Sequence, residues 1–146
     1  GGDMRTSTPE LKAAVIEALV AMGVTVIDVN LVSTPTYYFA VAYYGYDGGI
    51  QVSASHNPKE YNGLKIVRRG AGPIGKGNGM EEIERLAQTE LSWSGEQGTV
   101  IPHPEILHDL MQHEVDPSDR IAIRPLKIVV DAANAMGALD MEAILA

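Results

Sequence analysis

Apolar side chains recur at three- and four-residue intervals over Leu11, Val15, Ala18, Leu19 and Met22, and then Val24 to Val29 run together as a β-branched stretch. The first spacing predicts a helix and the second a strand. Ser7 with Glu10 three residues later has the spacing of a capping box, Pro9 suits a first turn, and Gly23 supplies a stop. The alternation then repeats. Ser33-Thr34-Pro35 opens a helix through Tyr37, Tyr38, Ala40, Val41 and Tyr44 that Gly45 closes, and Gly49 to Ser53 reads as the next strand. Leu64 to Val67 is a further strand. About ten residues separate these two strands, too few for a helical crossover, so they are expected to pair antiparallel.

Beyond a glycine-rich stretch from 70 to 79 the pattern predicts helices over about Met80 to Ala87 and Pro104 to Glu114, joined by a weakly patterned connection from 89 to 99. Gly1 to Thr6 looks like the exit from a strand that is not present. Pro117-Ser118-Asp119-Arg120 reads as linker, Leu126 to Asp131 as a strand and Gly137 to Leu145 as a helix. One strand and one helix cannot bury a core, so residues 118–146 are expected to open a second domain after a first over 1–117. The fold class predicted is α/β, a three-layer α/β/α domain with a mixed, mostly parallel sheet.

Composition narrows the setting. The 146 residues are 45% hydrophobic and 21% charged, with no apolar run near the roughly 20 residues that cross a bilayer. Asp3 and Arg5 stand where a signal peptide would be apolar. With no cysteine there is no disulfide, thiolate metal site or cysteine nucleophile, which agrees with a reducing compartment and a cytoplasmic protein. A net charge of -8 argues against nucleic acid. Yet five of the 11 basic residues, Lys59, Lys65, Arg68, Arg69 and Lys76, fall within positions 59 to 76, where Glu60 is the one acid. A basic patch in an acidic chain suits a small anion such as a phosphate ester; a solvated charged face is the plain alternative.

That patch adjoins Ser55, in the loop that leaves the strand ending at Ser53. Asn57-Pro58 and Asn62-Gly63 fix the two corners of this loop. A serine hydroxyl is a weak nucleophile unless a base activates it or it already carries the group to be moved. His56 and Lys65 are available bases, but no carboxylate stands at a telling spacing to orient His56, and Ser53 and Asn57 occupy the glycine positions of a lipase-type elbow. Phosphoryl transfer fits better, because Lys65 and its neighbours could stabilise the charge of a phosphate on Ser55.

Ser53-Ala54-Ser55-His56-Asn57-Pro58, continued by Tyr61-Asn62-Gly63-Leu64-Lys65-Ile66-Val67, resembles the active-site signature of the α-D-phosphohexomutases, in particular the phosphomannomutase/phosphoglucomutase branch. The Gly-x-Asp-x-Arg-x-Ser opening at Gly1 to Ser7 and the Pro35 region resemble that family's first domain, and Leu126 to Asn134 resembles the start of its second. The resemblance implies a phosphoserine at Ser55 that passes its phosphoryl to a hexose 1- or 6-phosphate, with a hexose 1,6-bisphosphate as intermediate. It implies catalytic roles for Ser55, Lys65 and His56, and substrate or phosphate binding by Arg5, Ser53 and Asn57. It also implies Mg²⁺, to which this chain would contribute Ser55 through its phosphate. The family's first strand, its metal-binding Asp-Gly-Asp-x-Asp-Arg loop and its distal phosphate loop do not occur in the sequence. An inactive fragment is therefore expected, with possible self-association through uncovered surfaces and no membrane partner.

Competing motifs are weaker. Gly70-Ala71-Gly72-Pro73-Ile74-Gly75 spells Gly-x-Gly-x-x-Gly, and Gly70 to Lys76 spells most of a Walker A, which makes a nucleotide-binding module using the 70 to 79 loop the alternative reading. Gly77 stands where Ser or Thr would hold Mg²⁺, Pro73 removes a donor, and Arg68 and Arg69 separate the motif from its strand. His103, His108 and His113, spaced by five, do not converge on one helix face and suggest structural or solvent-facing roles. Tyr37, Tyr38, Tyr43 and Tyr44 are expected to pack in a core.

Overall fold

The computed structural model describes residues 1–114 and 124–145. Helix α1 spans Thr8–Ala21, strand β1 Val26–Asp28, α2 Thr34–Tyr43, β2 Gly48–Val52 and β3 Leu64–Arg68. A 3-10 turn at Arg69–Ala71 leads to the two-residue β4, Gly72–Pro73, and then come α3 Met80–Ala87, β5 Val100–Pro102, α4 Ile106–Glu114 and α5 Gly137–Leu145. β1 pairs parallel with β5, while β2 pairs antiparallel with β3 and β3 with β4.

The first residues join these two ladders. Gly2 bridges in parallel to both Leu31 and Val52. Its N–H donates to the Asn30 carbonyl and its carbonyl accepts from Val32, while Asp3 N–H donates to the Val52 carbonyl. Residues 1–3 thus fill the place between the continuation of β1 and the end of β2, making one mixed sheet. From this central segment the chain steps one way through α1 to β1 and back through α2 to β2. Right-handed crossovers then put the two helices on opposite faces, the expected three-layer α/β/α arrangement.

The core lies on the α2 side, where Val29, Val32, Tyr37, Ala40, Val41, Val67 and Ile106 are buried together. α2 begins where its sequence indicates: Ser33 Oγ accepts the Thr36 N–H at 3.4 Å. α1 stops by the αL route, with Val24 N–H bonded to the Leu19 carbonyl and Gly23 N–H to the Val20 carbonyl around Gly23 at φ 79°. Its other end differs from expectation. Ser7 has helical dihedrals and makes no side-chain cap, because its hydroxyl accepts from Asn62 Nδ2 at 3.0 Å instead.

Two further expectations are corrected, and one strand was not anticipated. Leu126 to Asp131 forms no strand, since no described segment offers it a ladder partner, and Val129 is 96% exposed. β5 was not legible in Val100-Ile101-Pro102, three exposed residues ending in a proline. Tyr43 and Tyr44 lie at the surface rather than in the core, in a row with Tyr46 and His103. The linker expected at Pro117 to Arg120, and with it the 117/118 boundary, lies outside the described residues.

Candidate active site

The parallel members of the sheet, residues 1–3, β1 and β2, end on one edge. In open α/β sheets this carboxyl edge is where ligands bind. The polar loop of residues 53–63 leaves from it. Ser53 N–H and the Gly63 carbonyl close the loop's neck at 2.8 Å, continuing the β2–β3 pairing. Within the loop Asn57 N–H bonds the Ala54 carbonyl, and Tyr61 N–H the Pro58 carbonyl.

Ser55 sits at the exposed rim with φ 56°, in the left-handed region that residues with a Cβ avoid. Both its peptide planes are held. Ser53 Oγ accepts the Ser55 N–H at 3.0 Å, and Arg5 Nη2 donates to the Ser55 carbonyl at 3.0 Å. Ser55 Oγ lies 3.3 Å from His56 Nδ1, so the two side chains share a proton or a hydrogen bond according to the tautomer of His56.

Arg5 is half-buried beneath the loop, and its place differs from that of the phosphate ligand expected of it. Besides Ser55, its terminal nitrogens donate to the carbonyls of Asn57 at 2.7 Å, Pro58 at 2.7 Å and Tyr61 at 2.9 Å. Nε donates to Asp3 Oδ2 at 3.3 Å. A guanidinium has five N–H donors, and all five are engaged within the protein. Asp3 in turn takes the Arg5 backbone N–H at 3.1 Å and the Thr8 hydroxyl at 2.7 Å. Burial works against the Asp3 charge, but the Thr8 hydroxyl, the Arg5 backbone N–H and the guanidinium outweigh it and hold its pKa below the ordinary carboxylate value.

Lys65 is half-buried on β3, in register with Gln51 of β2. Its ammonium enters no ion pair among the described residues, and its backbone carbonyl accepts from the Tyr37 hydroxyl at 3.2 Å. Asn57 reaches the loop network through its backbone, leaving an exposed side chain. Ser53 is buried and acts on Ser55 through its hydroxyl. Asn62, which sequence reading treats as a turn former, ties the loop to α1: Nδ2 donates to Ser7 and Thr8 hydroxyls at 3.0 Å each, and Oδ1 accepts the Gly63 N–H. Asp3 and Thr8 likewise escape spacing arguments: they bond each other and Arg5 at intervals of two and five residues that match no motif, and Thr8 meets Asn62 across 54 residues. The one signal for Asp3 is its place in the Gly-x-Asp-x-Arg-x-Ser opening.

The remaining candidates stand apart from this edge. The glycine-rich stretch forms a compact turn in which Asn78 Nδ2 donates to the Pro73 carbonyl and Arg68 holds Asn78. Gly77 N–H is taken by the Glu81 carboxylate at 2.6 Å, so an acid occupies a donor that a phosphate cradle would offer. Arg69 pairs with Asp47. His103, just past β5, joins Asp109 of α4 at 3.0 Å, and His113 packs edge-on against Tyr43, fastening α4 to α2. Among the described residues no three His, Asp or Glu side chains gather in a group that could hold a metal ion. No described helix is long and apolar enough to cross a membrane.

Comparison with known proteins agrees with the α/β/α fold. Residues 1–92 match the sequence profile of "Phosphoglucomutase/phosphomannomutase, alpha/beta/alpha domain I". A phosphomannomutase of Vibrio cholerae is 37% identical over 134 residues, which are 92% of this chain and 29% of the relative. One from Escherichia coli is 38% identical over 138 residues, 92% of this chain and 30% of the relative. A crystal structure of a phosphoglucomutase/phosphomannomutase family protein from Burkholderia thailandensis superposes with a TM-score of 0.71 at 33% identity, covering 98% of this chain and 32% of the other. The chain thus spans about three tenths of the length of these relatives.

Proposed function

Because this chain belongs to the phosphoglucomutase/phosphomannomutase family through its alpha/beta/alpha domain I, we propose that Ser55 is the phosphoryl carrier of a phosphohexomutase. The observation that supports this most is the presentation of Ser55: an exposed hydroxyl on a left-handed backbone, pinned on both sides, at the carboxyl edge of the sheet. A rigid, unfavourable backbone is worth keeping where one side chain must face a substrate.

In the reaction read here, a hydroxyl oxygen of a hexose 1- or 6-phosphate attacks the phosphorus on Ser55. The bond from phosphorus to Oγ breaks, and a hexose 1,6-bisphosphate is formed. The sugar reorients, Ser55 Oγ attacks its other phosphorus, and the isomeric monophosphate leaves. Lys65 is the general acid/base for the proton that moves between sugar hydroxyl and Oγ, and its charge also compensates the phosphoryl oxygens. His56, within reach of Oγ, orients the hydroxyl in the unphosphorylated state. Ser53 shapes the loop, and the exposed Asn57 side chain is the substrate contact.

Mg²⁺ would find one anchor in these residues, a phosphoryl oxygen on Ser55. The nearest carboxylate in the network, Asp3, is bonded to Arg5 and Thr8. The described residues do not by themselves fit the ion, and the 146 residues alone are expected to show no turnover. The absence of cysteine supports a cytoplasmic setting.

Intact mass tests the carrier directly: an added phosphate that maps to Ser55 is expected. In the full-length protein Ser55→Ala should lower kcat for hexose phosphate isomerisation by at least about a thousandfold. Near-wild-type turnover in that variant would overturn the assignment.

A further inference from the structure

We infer that Arg5 is a positioning residue that fixes the direction of the Ser55 hydroxyl by gathering four carbonyls of its loop onto one guanidinium; this rests on the reading of Ser55 as phosphoryl carrier. The carbonyls of Ser55, Asn57, Pro58 and Tyr61 all point at Arg5. Four carbonyl dipoles converging on one point repel one another unless a cation lies at the centre. Arg5 also holds them in a set pattern, because its donors form a rigid planar fork. A lysine carries comparable charge but offers three donors from a single nitrogen, so it cannot span four separate acceptors in the same way.

The anchorage runs back to the sheet. Asp3 N–H is bonded to the Val52 carbonyl, placing Asp3 in the central segment. Its carboxylate holds both Nε and the backbone N–H of Arg5. Arg5 then holds the Ser55 carbonyl while Ser53 holds the Ser55 N–H. With both flanking peptide planes fixed, the Cα–Cβ bond of Ser55 has one direction. The left-handed conformation at φ 56° is kept by these contacts, since Ser55 itself does not favour it. No donor of Arg5 remains for a substrate phosphate, so the residue acts through Ser55 rather than on the sugar.

The test uses Arg5→Ala and Arg5→Lys in the full-length protein. Amide exchange at Ser55, Asn57 and Tyr61 should accelerate by at least about tenfold in both, while the Tyr37 amide of α2 and the Tyr44 amide at its end keep their protection. Turnover of hexose phosphate should show kcat down by about a hundredfold with KM unchanged, the mark of a misplaced reacting group. Unchanged loop exchange, full rescue by lysine, or a raised KM with kcat retained would overturn the inference. If Arg5→Ala does not fold, Asp3→Asn, which keeps the shape of the anchor, should loosen the same three amides, and failure to do so counts against it. The exchange measurement reads the loop whether or not Ser55 carries phosphate, so loss of the carrier reading shows separately, as an unphosphorylated Ser55 in the wild-type protein.

Discussion

Ser55 holds a backbone conformation that costs a residue with a Cβ about 1–2 kcal/mol, and the cost grows for a β-branched side chain crowded at the same atom. Ser55→Thr would keep a hydroxyl at the site yet lose its direction. We expect this variant to fold, to melt below the wild type by an amount equivalent to about 1–2 kcal/mol, and to lose most turnover. Calorimetry with a mutase assay checks this, and wild-type turnover would show that a hydroxyl alone suffices. Asp3 makes the loop sensitive to acid. Its folded pKa lies below the ordinary value of 3.8, so its contribution is complete above that value and is lost as the pH falls through the depressed one. Loop amide protection, taken relative to the intrinsic exchange rate at each pH, should therefore be flat from neutral pH to about 5 and fall below about 4, and Asp3→Asn should remove that acid step. These roles were hard to read in the sequence because Arg5 meets its carbonyl partners across 50 to 56 residues.

Among the elements, the connection from 89 to 99 has little pattern but a demanding backbone. Gly98 N–H donates to the Val20 carbonyl, and a Cβ on Gly98 would collide with the backbone of Val24. Gly98→Ala should cost about 1–3 kcal/mol, the range for inserting an atom into a filled space. Trp93, whose ring lies over Gly23 and whose Nε1 donates to the Glu96 carbonyl, is the chain's one tryptophan and reports the melt by fluorescence. A midpoint equal to the wild type would show that the backbone around Gly98 yields freely. Helices α2 and α3 were legible because Ser33, Gly45 and the charged run after Gly79 punctuate them locally. The antiparallel β2–β3 pair was legible from the short span between its strands. β4 and β5 were not, since two or three residues become a strand by what they lie beside. The clasp of Tyr44 and His103 onto Asp109 was invisible for the same reason; that hydrogen bond pushes the Tyr44 pKa up to about 12.

At the scale of the whole molecule, the apolar surface is unevenly covered. The α2 face is packed, whereas Leu11, Ala14, Val15 and Ala18 of α1 line an open groove of about 410 Å³ with Asn62, Gly63 and Leu64. Val100 and Ile101 on β5 and Ile128 and Val129 are also exposed. We expect the 146-residue chain to self-associate, with a light-scattering mass that rises with concentration and falls back in Leu11→Lys; a constant 15.6 kDa would overturn this. The placement of residues 1–3 has a kinetic consequence. They lie between segments some 30 and 50 positions further along, so the sheet closes only after a long stretch of chain has been synthesised and folded back. Asp3 and Arg5 travel with that closing segment, and the serine loop takes its shape in the same event. A nascent chain would therefore not present the serine loop half-built, and the loop would come into being together with the domain that holds it.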